Sequence, residues 1–324
     1  MKSDEFLSEL RHRGKKEEII ALAGSILADF QKKMSDSKDC LQAVREFADK
    51  YISQSDNAVN QLIILFWYFD FIREKPATTY LLTMLGTVNV LENQKERMTV
   101  LHGSAKTEEV FSRTHLPVLG SDLKQYPACI CSYLENMSAH LSESECRRVL
   151  AGNHHGVDTK HFDEDKKLFA EELNLQDFLQ KKHERLVTEL QSYADSGNLW
   201  YEQHITQDVV DYVKAHQEIQ TGVIEGDHVI VAKIPYNPDA WLKENDPVLK
   251  RYYACHCPFV RESVLTSEVV PSLWCYCSGG YTKLFFDYLF DDELEVELLE
   301  SVLDGATTCR FSIRLPREYT NTVF

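Results

Sequence analysis

Apolar residues recur every three or four positions through the first 195 residues of this 324-residue chain, and this period constrains the fold more than any other feature. One stripe contains Ile20, Ala23 and Leu27, and a stripe with this spacing forms one apolar face of an α-helix. The run from Val59 to Ile72 is apolar on nearly every side, which predicts a helix at the centre of a bundle. We therefore expect residues 1–195 to form a helical domain.

The pattern changes after a break at Asp195–Asn198, where strand-like runs begin to alternate with shorter helical ones. Helices are expected at Gln207–Ala215 and Tyr276–Leu289. Strands are expected at His228–Ile234, Arg251–Cys255, Leu294–Val302 and Cys309–Leu315. The sequence thus predicts an α+β protein, in which a smaller α+β domain with an antiparallel sheet, residues 196–324, follows the helical domain.

The charge balance excludes one class of partner. Lys and Arg number 35 against 51 Asp and Glu, and the resulting net charge of -16 repels the phosphates of nucleic acids.

The first residues are charged and lack the apolar segment of a secretory signal. The longest apolar stretch, Leu62–Phe69, is much shorter than the roughly 18 residues that a membrane span needs. We expect a cytoplasmic protein without a membrane partner, which could form a homo-oligomer.

The cysteines carry the main chemical signal. Five of the nine fall in the last third of the chain, at Cys255, Cys257, Cys275, Cys277 and Cys309. In a reducing compartment such residues are more often thiols or metal ligands than disulfides, and thiolates select zinc, which takes four ligands. A strand would place two cysteines separated by one residue on the same face, whereas a helix would point them apart. We therefore predict a zinc site of Cys257, Cys309 and either Cys275 or Cys277, with Cys255 as the fourth ligand.

Two other interpretations of these cysteines stay open, because structural zinc sites usually pair cysteines two to four residues apart and both pairs here are closer. The thiols could be small buried hydrophobic groups, or one of them could be reactive. Near them, Arg261 could bind a substrate carboxylate and Glu262 could transfer a proton, although a surface ion pair is the alternative for both. The adjacent His154 and His155 lie in a polar stretch, where we expect solvated side chains.

The run Trp274-Cys275-Tyr276-Cys277-Ser278-Gly279-Gly280-Tyr281, the stretch Glu297–Gly305 and the final Cys309-Arg310-Phe311 resemble the closing motif of the 4-vinyl reductase domain. This resemblance implies an α+β ligand-binding module related to trafficking-complex subunits and to sensors of aromatic compounds, several of which hold zinc at these cysteines. Cys275 and Cys309 match the family pattern. Ser301 stands where the family has a further cysteine, so Cys255 or Cys257 would have to supply the missing sulfur.

A second set of residues overlaps the first. His256-Cys257-Pro258-Phe259 and Gly305-Ala306-Thr307-Thr308-Cys309-Arg310-Phe311 are similar to the aminothiazoline-carboxylate hydrolase family, which opens a small sulfur heterocycle by hydrolysis. That resemblance covers residues 250 to 315 and implies an enzyme.

Three hypotheses for the function follow. In the first, the C-terminal domain binds a small molecule beside a structural zinc ion, as a sensor does, with Arg261 and Tyr281 contacting the ligand. In the second, the protein is a hydrolase. Three cysteines would then leave one open zinc position for an activated water, or a thiolate would act as nucleophile with His256 as base, Glu262 as proton carrier and Arg261 as carboxylate anchor. In the third, the protein mediates an interaction and its cysteines only pack.

Overall fold

A computed structural model describes residues 2–34, 37, 39–172, 174–201, 203–266 and 268–320. Its helices are α1 (Ser3–His12), α2 (Glu17–Lys33), α3 (Cys40–Phe47), α4 (Ala58–Phe71), α5 (Lys75–Leu85), α6 (Val90–His102), α7 (Ser104–Phe111), α8 (Tyr126–His140), α9 (Glu143–Leu150), α10 (Asp163–Glu171), α11 (Leu175–Ser196), α12 (Gln207–Ala215), α13 (Pro238–Lys243), α14 (Pro247–Ala254), α15 (Tyr276–Phe290) and α16 (Arg317–Thr320). Its strands are β1 (Leu199–Trp200), β2 (Gln203–His204), β3 (Val223–Glu225), β4 (His228–Ala232), β5 (Val296–Glu300) and β6 (Arg310–Arg314). The predicted α+β class is confirmed, because the first half is helical and the last third contains an antiparallel sheet.

The chain forms two compact units, one of residues 1–88 with 116–126 and the other of residues 89–115 with 127–324. The first unit is built around α4, as its nearly uniform apolar surface predicts. This helix packs against α1, α2 and α5. Aromatic rings fill the space between them, since Phe6 meets Tyr68 edge-on at 5.5 Å between ring centroids and Phe30 meets Phe69 at 5.6 Å. Such pairs add to the free energy gained from apolar burial alone.

The second unit contains the main sheet, whose strand order is β3-β4-β6-β5 with every neighbouring pair antiparallel. Phe311 of β6 lies opposite Val231 of β4 on one side and Leu298 of β5 on the other, at the fully buried centre of the sheet. The strands predicted at residues 228–234, 294–302 and 309–315 are therefore confirmed, with ends that differ by one to two residues.

Helix α15 packs closely against both the sheet and a loop, and two adjacent glycines allow this approach. A Cβ atom at Gly279 would lie 3.3 Å from the ring of Phe311 and 3.4 Å from Val296. A Cβ atom at Gly280 would lie 2.5 Å from the backbone carbon of Ala151 and 2.6 Å from the backbone nitrogen and oxygen of Gly152. The helix that carries part of the cysteine cluster is thus held against the residues that follow α9.

The predicted break after α11 is confirmed, because that helix ends at Ser196 and Gly197 takes a left-handed conformation with φ +67°. Both sides of the break share one core, in which Leu190 of α11 packs with Trp200, Val209 and neighbouring apolar residues. Helix α11 thus lies in the second compact unit. The folding of residues 196–324 as a separate domain stays a prediction.

The strand predicted at Arg251–Cys255 is wrong, because these residues belong to α14 and to its end. The carboxylate of Asp246 accepts the backbone N–H groups of Val248 and Leu249 at 2.8 and 2.9 Å, and Pro247 occupies the first helical turn. Capping by an aspartate together with proline at the first position starts a helix and outweighs the strand preference of the following aromatic residues.

The expectation that His154 is solvated is also wrong. Its ring is 2% exposed, and Nε2 lies 2.9 Å from the carbonyl oxygen of Val149. Burial is the first cause that lowers its pKa to about 4, and the neighbouring positive charge of Arg97 lowers it further. His155 stands outside, with its ring edge-on to Tyr281 at 5.6 Å.

In the part of the chain that the structure describes, no helix combines the length and the apolar character needed to cross a membrane.

Candidate functional site

Four cysteines converge from three segments of the second unit. Cys255 is the C-cap of α14, and Cys257 follows it in the next loop. Cys275 ends a short 3-10 turn, Ser272–Cys275, immediately before α15. Cys309 directly precedes β6, and its carbonyl accepts the backbone N–H of Lys233 at 3.0 Å. We call Cys255, Cys257, Cys275 and Cys309 the thiol tetrad. All nine cysteines lie within the described residues, and all are free thiols.

The four thiols of the tetrad are close enough that each perturbs the ionisation of the others. Burial is the first cause that raises the pKa of all four thiols. Negative charge on other thiolates of the tetrad raises the pKa of Cys255, Cys275 and Cys309 further, and the couplings among these three and with Cys257 join every pair. Buried sulfurs this close together are protonated at neutral pH unless something binds the thiolate forms.

Hydrogen-bond donors nevertheless surround these sulfurs. The indole N–H of Trp274 donates to Sγ of Cys257 at 3.1 Å, and backbone N–H groups of Phe259 and Val260 act on the same sulfur, lowering its pKa against the effect of burial. Hydrogen bonds to the charged form stabilise it, so this environment favours a thiolate at Cys257.

The other three sulfurs of the tetrad also have partners. Oγ of Ser301 lies 3.2 Å from Sγ of Cys275, and either atom can be the donor. The backbone N–H of Val302 favours the thiolate of Cys309, and that of Cys257 favours the thiolate of Cys255. Thiols are weak acceptors, whereas thiolates are strong ones, so the donors at three of the sulfurs, and a hydroxyl that can donate to the fourth, match the deprotonated state.

Cys277 lies beside the tetrad rather than within it. Its thiol is coupled to Cys257 alone among the tetrad, and burial first of all raises its pKa to about 12. The side-chain amide of Gln94 in α6 lies next to the thiol of Cys277. Gln94 is fully buried, and its amide has no well-formed hydrogen bond among the described residues. Cys275 is coupled to all three other thiols of the tetrad and Cys277 to one, so Cys275 is the cysteine that we include in the predicted zinc site.

The described side chains do not form a complete metal-binding site. Within the described ranges, no group of three or more His, Cys, Asp or Glu side chains has the geometry to hold a metal ion. The residue types fit zinc, because four thiolates are a complete tetrahedral ligand set, but the sulfurs would have to move closer together. The zinc site therefore stays a prediction.

Two cations flank the tetrad. Lys233 follows β4, donates from Nζ to Oγ of Ser278 at 2.9 Å and lies 5.5 Å from the ring centre of Tyr281. Its positive charge favours the thiolates of Cys257 and Cys309. Arg261 does the same for Cys255. Neither cation forms an ion pair with a carboxylate in the part of the chain described above.

Arg261 lies in the 3-10 turn Arg261–Leu265 and is only 8% exposed. Its guanidinium carbon lies 4.2 Å from the ring centre of Tyr236 and 5.5 Å from that of Tyr252, and Tyr236 also supplies a hydrogen-bond partner. Burial opposes the charge, but these two phenols raise the pKa of the guanidinium overall. Its Nε and Nη1 atoms have no hydrogen-bond partner among the described residues. The alternative of a surface ion pair is thus wrong for Arg261.

His256 and Glu262 contact the same two tyrosines as this arginine. Nε2 of His256 bonds the carbonyl oxygen of Ile234, and its ring meets Tyr236 edge-on at 5.6 Å. Burial first, then the charge of Lys233, lowers the pKa of His256 to about 3. Because a carbonyl only accepts, the neutral ring carries its hydrogen on Nε2 and keeps Nδ1 as its basic nitrogen. Glu262 accepts the hydroxyl hydrogen of Tyr252 at 2.9 Å.

Tyr281 is 48% exposed on α15, and its ring is near both Lys233 and His155.

The sequence did not identify Lys233, Trp274 or Ser301 as part of the site. Two of them could have been found from the sequence, because Trp274 directly precedes Cys275 and Ser301 occupies the position at which the 4-vinyl reductase pattern has a cysteine. Lys233 directly follows an apolar strand, and no sequence pattern pointed to it.

Comparison with known proteins gives one match. A family of unknown function (DUF6144) matches residues 232–320, a segment that contains all the cysteines of the tetrad, Cys277, Lys233 and Arg261. No curated protein and no solved structure matches the chain.

Proposed function

We propose that this protein is a cytoplasmic small-molecule-binding protein whose C-terminal region holds one zinc ion through the thiolates of Cys255, Cys257, Cys275 and Cys309. The observation that carries the proposal is the thiol tetrad itself. Three separate segments bring together four sulfurs of buried or half-buried cysteines, every pair is coupled, and each sulfur has a hydrogen-bond partner suited to a thiolate. Partners of this kind orient and stabilise metal ligands in known sites.

The local charges support the same proposal. Four thiolates around Zn²⁺ carry a net charge of about −2. Lys233 and Arg261 bring two positive charges to the tetrad, and neither forms an ion pair with a carboxylate in the described part of the chain. Buried charge is stable only when it is compensated, so a dianionic centre would balance two cations that the protein otherwise leaves without a counter-ion.

Zinc in this position would be structural. A set of four protein ligands is closed, so it leaves no position for catalysis. The ion would cross-link the end of α14, the turn before α15 and the start of β6. Binding would release protons from the thiols, and the free energy of binding would add to the stability of the fold.

Hydrolysis of a small heterocyclic carboxylate is a second candidate. The observation that favours it is the turn Arg261–Leu265, which places a buried cation next to Glu262, whose carboxylate Tyr252 holds at 2.9 Å. In this version either three thiolates leave one coordination position open, or one cysteine acts as nucleophile with His256 as base. The number of sulfur ligands separates the candidates, because a structural site uses four and a catalytic zinc site fewer.

Metal content of tag-free protein purified without chelators tests the proposal. We expect about one zinc per chain by plasma mass spectrometry, and its loss in each of four separate variants, Cys255→Ser, Cys257→Ser, Cys275→Ser and Cys309→Ser. Cys277→Ser and Cys146→Ser are the matched controls, since both remove a buried thiol outside the tetrad. Zinc absent from the parent protein, or retained in the four tetrad variants, would contradict the proposal.

A further inference from the structure

Arg261 differs from the other arginines of the described structure in its surroundings. It is the only arginine among the buried residues, with 8% exposure. Partly exposed arginines such as Arg97 and Arg310 instead pair with carboxylates, those of Glu293 and Glu300 respectively. A guanidinium is always charged in proteins and carries five N–H donors, so burying one without an acceptor is strongly unfavourable.

The neighbouring protein groups do not satisfy it. Tyr236 and Tyr252 offer the faces of their rings, and one hydrogen-bond partner comes from Tyr236. Glu262 is adjacent in sequence, but its carboxylate accepts from Tyr252 and makes no ion pair with Arg261 in the described structure. Charged thiolates would offset the positive charge, yet no sulfur among the described residues accepts a hydrogen bond from Nε or Nη1. Three N–H donors on these two nitrogens are left for another acceptor.

We propose that Arg261 is the anchor of a binding site for a small planar molecule that carries a carboxylate. One of the two unpaired nitrogens of its buried guanidinium, Nε or Nη1, would donate to a carboxylate oxygen, and the half-buried rings of Tyr236, Tyr252 and His256 would contact the planar part. This names the ligand class for the proposed small-molecule binding and rests on that part of the proposed function, but it does not require zinc.

The surroundings favour a carboxylate over a phosphate. One guanidinium contacts both phenol rings, whereas phosphate sites typically gather several donors from a loop, a helix N-terminus or several cations. Two aromatic rings next to a guanidinium suit a flat ligand, because rings stack with other π-systems.

Benzoate is the probe and benzamide, which has the same shape without the charge, is its control. In titration calorimetry on the full chain we expect benzoate to bind the parent protein at least tenfold more tightly than benzamide or inorganic phosphate. Arg261→Met should abolish the preference for benzoate. Arg261→Lys keeps the charge beside the tetrad but loses the planar donors, so it should weaken benzoate binding at least tenfold. Arg97→Met, which removes an arginine that has a carboxylate partner, should bind benzoate like the parent protein.

Thermal melting and zinc content of every sample accompany the titrations, which shows that each variant is folded. Equal binding of benzoate and benzamide, benzoate binding that survives in Arg261→Met, or tighter binding of phosphate than of benzoate would overturn the site. Selective benzoate binding to protein that contains no zinc would support the Arg261 site while contradicting the zinc centre, so the two failures are distinguishable.

Discussion

Substitution of Gly280 by alanine tests how closely α15 packs against the loop after α9. The added Cβ would lie 2.5 to 2.6 Å from backbone atoms of Ala151 and Gly152. Backbone atoms have no rotamer to change, so the helix or the loop must shift, and overpacking of this kind costs about 3 kcal/mol at the upper end of its usual range. Alanine in a helix recovers about 1 kcal/mol relative to glycine. We expect Gly280→Ala to lower the free energy of unfolding by about 2 kcal/mol.

Gly279→Ala is the matched control, because it gains the same helical preference at the adjacent position. Its Cβ would lie 3.3 to 3.4 Å from side-chain atoms of Phe311 and Val296, which can move by a few tenths of an ångström. The cost of overpacking should be about 1 kcal/mol here, so the net change should be close to zero.

Differential scanning calorimetry and urea unfolding measure both variants. A change of 1 kcal/mol shifts the Tm by roughly 2 to 4 °C in a domain of 150 to 250 residues, so Gly280→Ala should melt roughly 4 to 8 °C below Gly279→Ala. Equal melting temperatures for the two variants would refute the close approach of α15 to residues 151–152.

Two further predictions concern ionisable side chains that are buried in the second unit. Because burial lowers the pKa of His154 from 6.5 to about 4, the unfolded chain binds its proton at a higher pH than the folded one, and the contribution of His154 to the free energy of unfolding should fall by about 2 kcal/mol from pH 7 to pH 5. In urea unfolding, His154→Gln should reduce the loss of stability over this pH range by about that amount, and an unchanged loss would contradict the assignment. Asp287→Asn leaves the 2% exposed Lys283 without its anionic partner while the amide oxygen still accepts the N–H of Leu294, and it should cost about 3 to 5 kcal/mol. A loss below about 1 kcal/mol in the same assay would show that the buried Lys283 does not depend on the negative charge of Asp287.

Local sequence rules predicted the fold well where one signal dominated. The uniformly apolar run within residues 59–72 is the central helix of the first unit, and α12 has the predicted ends, Gln207 and Ala215. Prediction failed where two signals competed. Residues 251–255 contain aromatic residues that favour a strand, but Asp246 and Pro247 upstream start a helix that includes them. Capping acts through specific hydrogen bonds, so a few residues before a segment can decide its structure.

The candidate site was predictable in its members but less so in its environment. Clustering of cysteines along the chain pointed to the four thiols that the fold brings together, even though Cys255 and Cys257 lie at a helix end and in a loop rather than on a strand. Burial of Arg261 and His154, and the approach of Lys233 to the tetrad, depend on which elements pack together. Such contacts join residues far apart in sequence, and periodicity carries no information about them.

X-ray absorption at the zinc edge, on the full chain purified without chelators, tests the central claim most directly because it counts the ligands of the metal. The proposed structural centre predicts four sulfur neighbours at about 2.3 Å and no nitrogen or oxygen neighbour. Three or fewer sulfurs accompanied by an oxygen or nitrogen ligand, or protein that binds no zinc at all, would contradict the closed centre of Cys255, Cys257, Cys275 and Cys309.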